Sequence, residues 1–417
     1  MVFPHAHEGF LADLPTRRQT GGTRLGRHTL LLVAELLLFV LLGGATVFAE
    51  RAAAAGLAAG SLISARPIPG APDHAAAYRI LYRSTGMHGE PISVSGMVIV
   101  PAGPAPAHGR PIVAWAHPTS GVADICAPSK ARDFFRTVQG LRLMLERGYI
   151  VTATDYQGLG TPGVHPYLVG ISEGRSVIDS VRAARQVPNA DAGSTFAVWG
   201  HSQGGHAALF AGLLAGGYAP DLKLVGVAAA APATDLRTLM NDDLGTSGGN
   251  NITAMTLWSW ARVYHAPIAS AVKPEAMPVV DTLAGECIER WFDVFRRLKP
   301  TRALGKGFMR ADDLASLEPW RDLLAINSPG PLPRSIPVFL AQGTTDKVVR
   351  PDVTLAYANR LCRHGNKVVF DTLPNVGHLF AARDSARSAI GWIADRFAGK
   401  PAQTDCGSGR LSAPALN

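Results

Sequence analysis

Apolar residues recur along the chain in short runs that have the length of β-strands. Most of these runs contain almost no polar position, which is typical of strands buried on both faces of a sheet. The predicted strands are residues 92–100, 111–116, 149–155, 195–199, 222–230, 336–343 and 367–373. Helical patterns lie between several of them; within residues 173–187, Val177, Val181 and Ala184 share one face. The alternation predicts an α/β fold with a mostly parallel central sheet and helices on both faces.

One long stretch interrupts this alternation. Between Pro232 and Pro333 no strand-like run occurs, yet residues 255–265 and 287–298 are rich in aromatic side chains and have a helical pattern. We therefore predict a helical insertion that covers the sheet. The predicted division of the chain is a core of residues 76–234 and 331–406, a helical insertion of residues 235–330 and a C-terminal tail of residues 407–417.

The N-terminus has the order of an export segment. Residues 30–49 are apolar except for Glu35 and follow a basic stretch. We expect residues 1–50 to be a signal peptide that is cleaved near Ala49, so that the protein is secreted. An uncleaved membrane anchor is the alternative, because about 20 apolar residues span a bilayer. Residues 51–75, rich in Ala, Gly and Pro, are expected to be a linker.

The charge of the chain restricts its partners. With 40 Lys and Arg against 32 Asp and Glu, the formal net charge of +8 permits attraction to anionic surfaces. The basic residues are scattered, however, and no nucleic-acid-binding motif is present. We therefore expect no nucleic-acid partner, whereas association with a lipid interface or membrane remains open. The sequence does not address the oligomeric state.

The four cysteines are Cys126, Cys287, Cys362 and Cys406. No pair has the Cys-x-x-Cys spacing and no histidine stands at zinc-finger spacing, so we expect no metal site. In an exported chain the even number suggests two disulfides, for which three connectivities exist. Four separate buried thiols are the alternative.

The stretch FAVWGHSQGGHAALFAGLLAG, residues 196–216, places a serine between a strand and a helix. Gly200 and Gly204 flank Ser202 in a Gly-x-Ser-x-Gly motif, which in this context predicts a sharp turn that presents a nucleophilic hydroxyl. The unpaired N–H groups at the start of the following helix point to the same place. The Gln203 N–H is therefore a candidate donor to an oxyanion.

A serine hydroxyl needs a base, and the base needs an acid that orients it. In this fold the order along the chain is Ser, Asp or Glu, His. Asp346 follows the strand-like run of residues 336–343, and His378 follows the last predicted strand, so both should lie at the same edge of the sheet as Ser202. Asp371 is the rival acid, but it sits inside a strand pattern.

A second oxyanion donor is expected from the loop after an earlier strand. The run of residues 111–116 is followed by His117, Pro118, Thr119 and Ser120. Since proline has no N–H, the donor is either Thr119 or Ser120. The sequence leaves the choice between them open.

Other candidate residues near the serine are assigned to structure. His201 is expected to pack beside the site, and His206 to be buried on the helix. The pattern from Gly158 to Gly163 matches a dinucleotide-binding fingerprint, but Pro162 prevents the helix that the fingerprint must open. We therefore expect no cofactor.

Together these stretches resemble the secretory lipases of fungi and actinobacteria related to Candida antarctica lipase A. The resemblance runs from about Arg66 to Cys406, and its most specific carriers are residues 117–129, 155–185 and 200–205 with the Asp346 and His378 loops. It implies an α/β-hydrolase fold, a helical lid after Ala230 and ester hydrolysis on lipids. It also implies the disulfides Cys126–Cys287 and Cys362–Cys406. Bacterial relatives commonly read His-Gly-Thr where this chain has His-Pro-Thr, so the resemblance does not decide the second oxyanion donor.

The sequence thus predicts a serine ester hydrolase that acts on a lipid or a small ester through an acyl-enzyme. Ser202 is the expected nucleophile, His378 the base and Asp346 the orienting acid. One alternative keeps the triad and changes the substrate, as in an acyltransferase or a peptidase. Another is a non-catalytic binding module tethered to a membrane.

Overall fold

The central feature of the molecule is a nine-stranded sheet. The computed structural model describes residues 58–242, 246–288, 304–305, 307–408 and 411, so the predicted export segment lies outside the described residues. The strands are β1 (Leu62–Ile68), β2 (Ala76–Thr85), β3 (Pro91–Val100), β4 (Arg110–Ala116), β5 (Ile150–Thr154), β6 (Ala192–His201), β7 (Lys223–Ala230), β8 (Val338–Gly343) and β9 (Val368–Leu373). All of the predicted strands form close to their predicted limits.

The strand order is β1-β2-β3-β5-β4-β6-β7-β8-β9. Strands β4 to β9 are parallel to one another, whereas β1, β2 and β3 form an antiparallel edge, in which β3 pairs antiparallel with β5. The prediction of a mostly parallel sheet is therefore confirmed. Parallel strands need crossover connections, and the helices between them cover both faces of the sheet.

The expected linker of residues 51–75 is wrong over its second half, because β1 lies there. β1 is the edge strand and pairs only with β2, with Pro67 opposite Tyr78. An edge strand tolerates proline, since one side of its backbone needs no partner strand. Its residues are mostly half-buried or exposed, so it lacks the apolar run that identified the central strands.

The helices are α1 (Phe134–Thr137), α2 (Leu141–Leu145), α3 (Gly170–Ala184), α4 (Gln203–Tyr218), α5 (Leu236–Asp242), α6 (Ser247–Val263), α7 (Ile268–Ala271), α8 (Met277–Gly285), α9 (Trp320–Ile326), α10 (Pro351–His364) and α11 (Ala381–Phe397). Two apolar layers separate them from the sheet. In β6, Phe196 and Val198 contribute to the layer under α3, α4 and α10, while Ala197 and Trp199 point to the opposite layer. This alternation of side chains between faces is what buries a central strand completely.

The helical insertion, which contains α5 to α9, packs on one face of the sheet. Its residues Leu257, Trp260 and Trp320 are buried in the same apolar layer as Trp199. The Trp260 indole N–H also donates to the Tyr167 carbonyl at 2.9 Å. Burial of these large aromatic side chains explains why a segment without strands is held against the sheet.

Two disulfides cross-link distant parts of the chain, with no cysteine left free. Cys126 is bonded to Cys287 and Cys362 to Cys406, the pairs that the resemblance implied. The first joins the segment after β4 to the helical insertion, and the second joins α10 to the segment after α11. Within the described residues, no helix has both the length and the apolar character needed to cross a membrane.

Candidate active site

The register of the sheet brings the candidate residues to one edge. Ala116 of β4 pairs with Gly200 of β6, and His201 pairs with Ala230 of β7. Ala230 in turn pairs with Ala341 in β8. The loops that follow these strands therefore leave the sheet side by side at its carboxyl edge, where open α/β sheets bind ligands.

Ser202 occupies the strained turn between β6 and α4. Its φ of 56° and ψ of −117° lie outside the regions that side-chain-bearing residues normally adopt. A Cβ on Gly200 would overlap the Gly204 carbonyl, and a Cβ on Gly204 would overlap the Ala116 carbonyl. Both positions therefore require glycine. Backbone strain of this kind is characteristic of functional sites, and here it lifts the serine side chain away from the strand.

Ser202, His378 and Asp346 form a hydrogen-bonded chain. His378 Nε2 lies 2.8 Å from Ser202 Oγ, and His378 Nδ1 lies 2.8 Å from Asp346 Oδ2. Because the carboxylate can only accept, Nδ1 carries the proton and Nε2 is free to accept from the serine hydroxyl. The side chains are mostly shielded from solvent, since Ser202 is 8% and Asp346 4% exposed. In this arrangement, which sequence reasoning predicted, the imidazole can remove the hydroxyl proton.

Asp346 is held as a carboxylate by its surroundings. The Val348 and Val349 N–H groups both donate to Oδ1 at 2.9 Å, and the Gln342 amide donates to Oδ2 at 3.1 Å. Burial alone would raise the pKa of Asp346, but the opposing effect of His378 and these donors outweighs it and holds the pKa below its usual range. The rival acid, Asp371, lies inside β9, paired with Ala341.

The loop after β4, residues 117–121 and called the β4 loop below, lies against the start of α4. Gly204 approaches the carbonyls of Ala116 and His117 so closely that no side chain fits between them. Thr119 Oγ1 is 2.8 Å from the Tyr167 hydroxyl, and the Ser120 carbonyl accepts from the Ile288 N–H at 2.8 Å. Both candidate donors of this loop are therefore carried beside the turn that holds Ser202.

The Gln203 N–H is the other candidate oxyanion donor. It belongs to the first residue of α4, where main-chain N–H groups have no partner inside the helix. The Ser202 N–H, by contrast, is used by the Ala230 carbonyl at 3.0 Å. No hydrogen bond in the described part of the chain takes up the Gln203 N–H.

Two contacts of the residues on either side of Ser202 were missed by the sequence reasoning. His201 Nε2 donates to the main-chain carbonyl of His378 at 2.9 Å, and Gln203 donates through its side chain to Glu173 Oε1 at 2.7 Å. Burial, together with the neighbouring His378, lowers the pKa of His201 to about 3, so that its ring is neutral. A His-Ser-Gln sequence gives no indication of these partners, which lie far away along the chain.

Comparison with known proteins places the chain in a family. The sequence model described as secretory lipase matches residues 138–405. Lipase A of Moesziomyces aphidis is 23% identical over 381 residues, which cover 84% of this chain and 79% of that protein. A Mycobacterium tuberculosis protein named probable inactive lipase MT1628 is 26% identical over 353 residues, covering 79% of this chain and 75% of its own length.

The fold is also similar to that of a lipase of known structure. The crystal structure of Candida antarctica lipase A in its closed state superimposes with a TM-score of 0.71 at 20% identity, covering 86% of this chain and 88% of that one. At this identity the similarity establishes the fold, and the match of the family model, which spans well over half of the chain, establishes the family. The chain belongs to the secretory lipase family, and it is an ester hydrolase with the α/β-hydrolase fold.

Proposed function

We propose that Ser202, His378 and Asp346 are the catalytic triad of this ester hydrolase. Ser202 Oγ bonds to the ester carbonyl carbon while its proton passes to His378 Nε2, and the carbonyl π electrons move to the oxygen. The carbon–oxygen bond to the alcohol then breaks, and His378 returns the proton to the alcohol oxygen. Water attacks the acyl-enzyme by the same steps. The two 2.8 Å contacts of His378 are the single observation that supports this most directly.

Two main-chain donors would stabilise the tetrahedral intermediate. We assign one to the Gln203 N–H, because it lies at the start of α4 next to the nucleophile. The other is assigned to Thr119 or Ser120 of the β4 loop. Donors of this kind contribute about 2.7 to 4 kcal/mol each to transition-state stabilisation.

The helical insertion, residues 235–330, is proposed to cover the site as a lid. It packs on the sheet, and it is joined by Cys287 to the segment that follows the β4 loop. Ser202 is only 8% exposed, which is consistent with a nucleophile that lies under a movable cover.

The proposed substrate is an ester at a lipid surface. Leu379 and Phe380, which directly follow His378, expose 57% and 46% of their surfaces although both are large and apolar. Exposed apolar side chains beside a catalytic site suit a contact with lipid. We also propose that residues 1–50 direct export, so that the enzyme acts outside the cell.

Labelling with a fluorophosphonate tests the triad, because only an activated serine forms the covalent adduct. We expect the wild type to be labelled and Ser202→Ala to be neither labelled nor active on p-nitrophenyl butyrate, with an unchanged melting temperature. This test has particular value because one relative carries the name of an inactive lipase. Absence of labelling in folded, disulfide-intact wild type would refute the catalytic triad.

A chain-length series of p-nitrophenyl esters, measured below and above the solubility limit of each ester, tests the substrate. If the enzyme acts at lipid surfaces, turnover rises when the substrate exceeds its solubility. If the rate instead shows simple saturation on both sides of the solubility limit and is highest for the acetate ester, the substrate is a small soluble ester. Ser202→Ala provides the background rate for every ester in the series.

A further inference from the structure

Glu173 is a buried carboxylate that the triad does not use. It lies in the first turn of α3, and only 1% of its surface is exposed. Three hydrogen-bond partners face it: the Leu168 N–H at 3.0 Å and the Gln203 amide at 2.7 Å donate to Oε1, and His206 Nδ1 lies 2.7 Å from Oε2. Burial of a carboxyl group is costly unless such partners are present, so this position needs a reason beyond packing.

The hydrogen bonds of His206 fix the number of protons it shares with Glu173. His206 is fully buried, and its Nε2 lies 2.7 Å from the Asn327 carbonyl. A carbonyl can only accept, so Nε2 carries a proton. One more proton lies between Nδ1 and Glu173 Oε2, whichever of the two atoms holds it. The pair as a whole is therefore uncharged.

The side chain of Gln203 can adopt only one orientation in this network. Its amide nitrogen donates to Glu173 and lies 3.1 Å from His165 Nε2, while His165 Nδ1 donates to the Gln157 carbonyl at 2.8 Å. Burial lowers the pKa of His165 to about 4, so this ring is neutral and accepts at Nε2. Reversing the amide would set the Gln203 oxygen against the carboxyl group of Glu173. Both amide protons of Gln203 are thus used in hydrogen bonds that fix this residue, whose main-chain N–H is the candidate oxyanion donor.

The same network reaches the helical insertion through Asn327. Asn327 follows α9, and it is 2% exposed. Its Oδ1 accepts from the Gly170 N–H at 3.1 Å, and its Nδ2 donates to the Tyr264 hydroxyl of the insertion at 3.0 Å. His206 stands one helical turn after Ser202 and donates its own N–H to the Ser202 carbonyl at 3.0 Å. The C-terminal end of the insertion is therefore hydrogen-bonded to the helix that starts at the nucleophile.

We propose that Glu173 is a positioning residue for the oxyanion donor: it holds Gln203 so that the main-chain N–H points at the developing oxyanion, and through His206 and Asn327 it makes that placement depend on the helical insertion. This inference rests on the proposed function, since it takes Gln203 as a donor. Glu173 does not touch the substrate. It acts on the transition state through the geometry of Gln203.

Replacement of Glu173 by glutamine and by leucine separates this role from a purely structural one. In Glu173→Gln the amide oxygen can accept from Leu168 and Gln203, and the amide nitrogen can donate to a neutral His206, so every hydrogen bond and the zero charge are retained. Glu173→Leu keeps the volume and removes all of them. Gln203→Met leaves Glu173 paired with Leu168 and His206 and removes the two side-chain hydrogen bonds of Gln203, to Glu173 and His165, so it serves if Glu173→Leu does not fold.

Kinetics with p-nitrophenyl butyrate and inhibition by an alkyl trifluoromethyl ketone provide the readouts. The ketone forms a tetrahedral adduct with an activated serine whose oxyanion occupies the same hole. We expect Glu173→Leu and Gln203→Met to lower kcat by about tenfold or more, below the factor of 10² to 10³ typical of losing a donor outright, with KM nearly unchanged. Affinity for the ketone should fall by the same factor, and Glu173→Gln should stay within about threefold of wild type in both measurements.

The inference fails if folded Gln203→Met has the kcat and ketone affinity of the wild type, or if Glu173→Gln loses as much as Glu173→Leu. These outcomes differ from failure of the proposed function. If the proposed function is wrong, the wild type itself is neither labelled by the fluorophosphonate nor inhibited by the ketone.

Discussion

His201 holds the main chain of His378 in place: its Nε2 donates to the His378 carbonyl at 2.9 Å, and the two ring centres lie 5.1 Å apart. The residue before the proposed nucleophile is thus bonded to the loop that carries the proposed base. The short helical turn His378–Phe380 has no buried residue of its own, so this bond and the contacts of the His378 ring fix its position.

His201→Met is expected to lower kcat by about tenfold with little change in KM, because loss of one hydrogen bond of about 1 kcal/mol lets the base move. His201→Gln places an amide N–H near the former Nε2 and should retain activity within about threefold. Steady-state kinetics on p-nitrophenyl butyrate, with melting temperatures of both variants, check this. Equal loss in the two variants would mean that the donor is not what matters.

Asp346→Asn is expected to reduce kcat by about 10⁴ while leaving the fold intact, since an amide no longer stabilises the imidazolium or selects the correct tautomer. Asp371→Asn is the matched control. It removes a carboxylate from β9, which pairs with the strand that precedes Asp346, and should leave kcat within about twofold of wild type. A larger loss in Asp371→Asn than in Asp346→Asn would reassign the orienting acid.

Acid should destabilise the fold through its buried histidines. Burial lowers the pKa of His201 to about 3 and that of His165 to about 4, from an ordinary value of 6.5. Between these values and 6.5 the unfolded chain binds more protons than the folded one. The free energy of unfolding therefore falls as the pH drops through this window, with a slope that approaches about 1.4 kcal/mol per pH unit for each ring once the unfolded ring is fully protonated. Burial raises the pKa values of Asp155 and Asp179, which oppose this trend at its acidic end.

Urea unfolding at about pH 7, 6 and 5 measures this dependence. The difference in slope between wild type and His201→Gln isolates one histidine, since all other groups are common to both. We expect the variant to lose about 0.7 kcal/mol less than wild type between pH 7 and 6, and about 1.2 kcal/mol less between pH 6 and 5. Identical slopes would show that His201 is not buried as a neutral ring.

The disulfide Cys126–Cys287 should affect both stability and activity. It joins residues 161 positions apart, whereas Cys362–Cys406 joins residues 44 apart, so its removal should cost about 1 kcal/mol more through the larger gain in unfolded-chain entropy. Replacing Cys126 and Cys287 by serine should also lower kcat, because the bond fixes the segment beside the β4 loop. The double serine variant of Cys362 and Cys406 is the control, and its kcat should stay near wild type. If both double variants have the same kcat, the Cys126–Cys287 bond does not influence the β4 loop.

The sequence predicted the central strands, and it singled out the three side chains that the structure brings within hydrogen-bond distance, for physical reasons. Parallel strands buried on both faces need unbroken apolar runs, and a nucleophile between two glycines has a recognisable local pattern. β1 was missed because it contains Arg and Pro, as an edge strand can, and β2 was missed because two arginines interrupt its apolar residues. The Glu173–His206–Asn327 network was missed because its members are 33 and 121 residues apart. Helical periodicity shows which face is apolar, but it carries no information on the partner of a buried charge.

The order of the site residues along the chain has a consequence for biosynthesis. His378 follows Ser202 by 176 residues, and its loop can form only after β9 has joined the sheet. A nascent polypeptide therefore contains the proposed nucleophile long before it contains the proposed base. Until residue 378 has been synthesised, esters of the producing cell meet the proposed nucleophile without its proposed base.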